Sequence, residues 1–192
     1  MALIEFTNKG IYCKQGNFYI DPWQPVDKAV ITHGHADHAK WGNKNYLCHP
    51  LTKPILTERY GLFDNVETLA YQNTIDINGV KLTLFPAGHV IGSAQIKLEY
   101  KGEIVVVSGD YKTEYDGIST AFEPIKCHTF VTESTFGLPI YKWQPQQQIF
   151  ESIKNWVAGN LQKNKTSILI AYSLGKAQRI LQAITPVTKN IF

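Results

Sequence analysis

The sequence predicts an α/β fold, with a β-rich first part followed by a layer that mixes helix and strand. Three observations carry that expectation. Short apolar runs punctuated by turn residues fill the first hundred or so positions, and helical periodicity is prominent only past Leu138. Four side chains able to bind a metal crowd into His33–His38, directly after an apolar run. The 192 residues fit one ordinary domain or one and part of a second. With 44% hydrophobic against 18% charged residues, the chain can bury a core, which excludes disordered, collagen-like and coiled-coil classes.

Taken in order, Leu3 to Phe6, Phe18 to Ile20, Ala29 to Thr32, Thr74 to Ile77, Val80 to Phe85, Gln95 to Tyr100, Ile104 to Ser108 and Thr129 to Thr132 read as strands. Turn residues at Gly16-Asn17, Asn78-Gly79 and Lys101-Gly102 separate them; Asn78-Gly79 joins the firmest hairpin. A helix is expected over Pro54 to Tyr60. Past Leu138, Pro145 opens a helix carrying Ile149, Phe150, Ile153, Trp156 and Val157 at helical spacing. Thr166 to Tyr172 reads as a buried strand, and Lys176 to Ile184 as a second helix, the order of an α/β layer.

A formal net charge of +3 permits a polyanionic substrate without establishing one. Cys13, Cys48 and Cys127 are odd in number and far apart, so neither a disulfide framework nor a Cys-x-x-Cys zinc site is expected, and the compartment reads as reducing. The opening MALIEFTNKG lacks a signal-peptide pattern, and no apolar run approaches the ~18 residues of a membrane span. The expectation is a cytoplasmic enzyme.

The segment AVITHGHADHA, residues 29–39, carries the chemistry. Neutral imidazoles and a carboxylate are ligands of catalytic zinc, and a loop leaving a strand can curl to converge them on a cation. LTLFPAGHV brings His89 after a second strand and IVVVSGD brings Asp110 after a third, each beside a glycine. Two ions are expected: His33, His35 and His89 on one, Asp37 and His38 on the other, with Asp110 bridging. Taken singly, His89 or Asp110 would be ordinary turn residues, whereas crowding three histidines and an aspartate without a metal is costly. His49 and His128 read as structural.

His33, His35, Asp37 and His38 match H-x-H-x-D-H, and on them the chain resembles the metallo-β-lactamase superfamily. PAGHVIGSAQ, VVSGDYK and TESTFG look like its β-CASP nucleic-acid-processing branch, to which Artemis-like and mRNA 3′-end-processing nucleases belong. IYCKQGNFYI, IDPWQPVDKAVITHGHADHA and SLGKAQ look most like bacterial DNA ligase-associated exonucleases within it.

The resemblance implies an αββα sandwich interrupted by an inserted β-CASP domain, with residues 1–137 the first portion of the sandwich and 138–192 the start of the insertion. It implies two Zn²⁺, with Mn²⁺ possible, and a DNA exonuclease of repair that is associated with a DNA ligase and a helicase. The alternatives are a β-CASP RNA-processing nuclease that acts on RNA, a glyoxalase-type hydrolase, or an inactive product. Family members draw a further metal ligand and a proton-donating histidine from downstream, and no histidine follows His128, so the chain is expected to be a piece of a longer enzyme.

Two carboxylates among six ligands leave positive charge for a phosphate, and Asp37 is the residue expected to orient the attacking hydroxide. Glu133 matches the acidic residue of the first β-CASP motif and either orients the downstream histidine or caps a turn. Ser93, Lys112, Ser134, Thr135 and Lys176 are the candidate substrate contacts. Lys176 follows Ser173-Leu174-Gly175, a strand-to-helix turn without Walker A spacing, which reads equally as a plain turn. Trp41, Tyr111 and Phe136 could stack on bases or simply pack.

Overall fold

A computed structural model describes residues 2–61 and 64–192. The chain divides into two compact units, Met1–Glu133 and Ser134–Phe192. The first holds two sheets. One contains β1 (Ile4–Thr7), β2 (Gly10–Cys13), β3 (Phe18–Ile20), β4 (Lys28–Val30), β5 (Asn45–Cys48) and β6 (Val66–Thr68), in that spatial order. β1 to β3 are antiparallel, and β3 to β6 run parallel. The other sheet runs β11 (Thr129–Val131), β10 (Glu103–Val107), β9 (Ala94–Tyr100), β8 (Val80–Pro86) and β7 (Thr74–Ile77).

The hairpin expected at Asn78-Gly79 is present: φ is 55° at Asn78 and 83° at Gly79, the paired left-handed residues of a tight hairpin turn. Alternation then sorts the strands' faces. Val80, Leu82 and Leu84 from β8, with Ile96 and Leu98 from β9 and Val105 and Val107 from β10, point inward. They meet Phe18, Ile20 and Val30 of the first sheet in one core. A second cluster, including Ala29, Ile31, Tyr46 and Cys48, lies on the first sheet's other face and takes Leu56 from α1 (Lys53–Tyr60). Leu98 is fully buried, so Leu98→Ala is expected to lower unfolding free energy by about 3 kcal/mol, read from urea denaturation.

Topology decides where function can sit. β3, β4 and β5 are parallel and end on one edge of their sheet. β8 and β10 are both antiparallel to β9, and β11 is parallel to β10, so these three share an exit edge too. Thr32 O accepts a 2.8 Å bond from Ala94 N, which ties the two edges together.

The second unit contains α2 (Gln146–Gln162) and α3 (Lys176–Ile184). Pro145 is the cap before α2, and Gly175 N donates to Gln178 Oε1 at 2.7 Å at the start of α3. The expected buried strand over Thr166 to Tyr172 is not formed. Ile168, Ile170 and Tyr172 are 78%, 95% and 78% exposed, because no neighbouring strand among the described residues supplies a ladder or a covering layer.

Candidate metal centre

The strand exits deliver the candidate ligands. β4 leads through Ile31 and Thr32 into His33, where His38 N and Ala39 N both donate to His35 O and curl the loop into a helical turn. β8 leads to His89 and β10 to Asp110. One ligand atom from each of His33, His35, His89 and Asp110 falls within a 4.8 Å cluster able to hold a metal ion.

The individual spacings agree with that use. His35 Nδ1 is 2.9 Å from His33 Nε2 and 3.2 Å from His89 Nε2. Asp110 Oδ2 lies 3.5 Å from His89 Nε2 and 3.8 Å from His33 Nε2. Ligand atoms about 2.0 to 2.2 Å from one tetrahedral cation would stand roughly 3.4 Å apart, so this donor set fits a divalent ion. Asp110 Oδ1 faces elsewhere, 3.2 Å from His38 Nε2. Asp37 does not join the compact group: its side chain is 77% exposed, with Oδ2 3.8 Å from His38 Nε2.

Asp21, which sequence reasoning passed over, holds these imidazoles in place. Its Oδ1 accepts Thr32 N at 2.8 Å, and its Oδ2 accepts both the Thr32 hydroxyl and His38 Nδ1, the latter at 2.7 Å. Thr32 Oγ1, having donated to Asp21, accepts from His33 Nδ1 at 3.0 Å. His33 therefore carries a proton at Nδ1 and turns Nε2 toward Asp110, while His38, anchored through its Nδ1–H to Asp21, turns Nε2 toward the other oxygen of Asp110, the arrangement of a carboxylate behind a metal-binding histidine. The signal was an aspartate at the exit of the strand that turned out to be β4's parallel neighbour; only the pairing reveals it.

Electrostatics follow from this packing. Burial, then repulsion by His38 and His89, holds His33 well below the ordinary imidazole range, and burial also lowers His89. Burial would lower His38 too, but hydrogen bonds to Asp110 and Asp21 override it and raise its pKa to about 10. Burial would raise Asp110, yet the His38 hydrogen bond and the surrounding histidines bring it down to about 2. The pocket thus keeps Asp110 ionised among imidazoles, two of which are pushed toward their neutral, metal-binding form.

Both ligand loops rest on α1. At its start Thr52 Oγ1 donates to Gly92 O at 2.9 Å in the His89 loop, and a Cβ on Gly92 (φ 77°) would stand 2.6 Å from that hydroxyl oxygen. At its end Arg59 donates to Gly34 O and the Tyr60 hydroxyl donates to Ala39 O at 2.6 Å, while Ile55 packs directly on Gly34.

The other candidates are scattered. Ser93, expected at the rim, is instead buried: its hydroxyl accepts His89 N at 3.0 Å and Val90 N at 3.2 Å, so it shapes the His89 loop and has no surface to offer a substrate. Lys112 is half-buried, its amide donating to Ala87 O at 2.9 Å just before the His89 loop. Glu133 is half-buried at the exit of β11, close enough that its charge acts on His89. Ser134, Thr135 and Lys176 belong to the second unit, where Lys176 Nζ lies 5.6 Å from the Tyr172 ring centre. Tyr111 packs against Phe122 and Phe130, and Phe136 against Tyr141 and Trp143. Trp41 is exposed where the chain has already returned to Pro25 and Val26 ahead of β4, away from its exit edge.

Known proteins share parts of this sequence and this fold. The chain is 33% identical to Endoribonuclease YSH1 of Saccharomyces cerevisiae over 81% of its length and 25% of that protein's. It is 28% identical to a probable DNA ligase of Opitutus terrae over 93% of its length and 18% of the ligase's. The chain thus spans a quarter or less of these relatives, which match the β-CASP branch read from the sequence. A protein of unknown function from Enterococcus faecalis shares the fold, with TM-score 0.56 at 10% identity over 83% of this chain and 44% of that one. The metallo-beta-lactamase superfamily model matches residues 21–163, a span that includes Asp21 and every candidate ligand, and the chain belongs to that superfamily.

Proposed function

We propose that the protein is a metal-dependent phosphodiester hydrolase acting on nucleic acid, with RNA the favoured substrate. The observation that carries this reading is the division of Asp110, one oxygen facing His33 and His89 and the other facing His38. His33, His35 and His89 would hold one divalent ion and Asp37 and His38 a second, with Asp110 offering an oxygen to each side. The nitrogen-rich donor set favours zinc, with manganese the alternative. Bound there, such ions supply hydroxide near neutral pH and positive charge for the phosphate oxygens. Asp37, exposed beside His38, orients the attacking water, and Glu133 steadies a proton donor on the leaving-group side. Lys112 of the first unit, and separately Ser134, Thr135 and Lys176 of the second, are the proposed substrate contacts. Residues 1–137 form the metallo-β-lactamase portion and 138–192 the start of the inserted β-CASP domain.

RNA is favoured because the relative at 33% identity is named an endoribonuclease. A DNA exonuclease working beside a ligase is the second reading, supported by the match to a probable DNA ligase. The test is a time course on 5′-labelled RNA and DNA, single-stranded and duplex, with zinc or manganese and with a chelator. Cleavage of RNA ahead of DNA, stopped by the chelator, is the expected result. DNA-only cleavage moves the assignment to the second reading, and intact substrates beside fully metal-loaded protein overturn the nuclease assignment for this chain.

A further inference from the structure

We propose that Arg59 contacts a backbone phosphate of the bound nucleic-acid strand, next to the metal-binding loop. This rests on the nucleic-acid reading above and adds to it an anion site outside the ligand set. Arg59 lies in the last turn of α1, and its side chain reaches back to donate one N–H to Gly34 O, the carbonyl between His33 and His35. That bond fixes the guanidinium against the loop and uses one of its five donors. Among the described residues no carboxylate lies within ion-pairing distance of it, and its side chain is half-buried, leaving part of it in reach of solvent.

A permanent cation beside a site built for cations is electrostatically unfavourable, and a neutral amide could brace a carbonyl equally well. The charge is accounted for when an anion shares it. The carboxylates of the centre do not: Asp110 and Asp21 are engaged with His38, Asp37 lies beside the same ring, and none of the three is within ion-pairing distance of Arg59. The guanidinium is held on one edge by Gly34 O and lies 5.9 Å from the Tyr60 ring centre, which leaves its other N–H groups without an acceptor among the described residues; such a fork matches the oxygens of a phosphodiester, which it binds as a pair. Because the anchoring carbonyl belongs to the loop that carries His33 and His35, the contacted phosphate is one flanking the bond that is cut.

The experiment measures binding of fluorescein-labelled single-stranded RNA and DNA to the zinc-loaded 192-residue protein across a salt series, comparing wild type, Arg59→Gln and Arg59→Lys. Bound zinc is quantified in each. The Gln variant is expected to keep its zinc and to lose about 0.7 from the slope of log affinity against log salt, the share of one single-strand phosphate. The Lys variant is expected to keep the slope while binding several-fold more weakly, since it retains the charge and loses the fork. Wild-type slope in the Gln variant, or zinc loss in step with weakened binding, overturns the assignment. Should the Gln variant fail to fold, Arg59→Lys decides alone, since wild-type affinity there overturns the fork. Wild-type protein that binds no strand overturns both this site and the nucleic-acid reading, whereas binding with unchanged slopes overturns only Arg59.

Discussion

Asp110→Ala is expected to strip the centre of its bound metal and to lower hydrolysis by about a hundred- to a thousandfold, the scale of removing a preorganised electrostatic group from a catalytic site. The reason is its placement. Its two oxygens are the feature common to both histidine sets, at 3.5 and 3.8 Å on one side and 3.2 Å on the other. Without the carboxylate, His33, His35 and His89 face one another with no anion between them, and a divalent cation there meets imidazoles alone. Elemental analysis of the purified variant, beside a cleavage assay, reads both effects. Retained metal with retained turnover would remove Asp110 from the centre. The metal-free variant should keep its fold, because the side chain is a quarter exposed and lies outside both apolar clusters.

Asp21→Asn is expected to weaken metal binding by ten- to a hundredfold, roughly the range for residues that orient metal ligands. Asparagine fits the same volume and tolerates the positive φ of 42° found at Asp21, so the backbone survives the change. What is lost is the charged acceptor shared by His38 Nδ1 and the Thr32 hydroxyl, and with it the bias that turns both Nε2 atoms toward Asp110. Competition against a chromophoric chelator measures the affinity. A variant that binds metal as tightly as wild type would show that ring orientation is set by packing alone.

The candidate ligands were legible because each announces itself locally. His33 to His38 is a contiguous pattern, and His89 and Asp110 each follow an apolar run beside a glycine. Asp21 shows no such mark, since its role is created by the parallel pairing of β3 with β4 and by a hydroxyl eleven positions away. The same physics explains the strands that pattern reading missed. β2 begins on a glycine, and β5 and β6 are three or four residues whose strand character comes from their parallel neighbours. Local propensity is a weak witness for such segments. Thr166 to Tyr172 fails in the opposite direction: its β-branched and aromatic side chains write a strand, and the described residues provide nothing for it to pair with. Ser93 was misplaced because a serine beside a ligand looks like a rim contact until its hydroxyl is seen to be occupied.

α1 is eight residues long, too short to persist in water unaided. It is nevertheless the common footing of two loops that come from different sheets, through Thr52 and Gly92 at one end and Arg59, Tyr60, Gly34 and Ala39 at the other. Its order and the closure of the ligand ring are therefore one equilibrium: whatever draws the histidines together also holds the helix, and fraying of the helix loosens both loops at once. Occupancy of the centre and rigidity of the layer behind it rise and fall together, so that the protein's hold on its metal is also a latch on a piece of its own architecture.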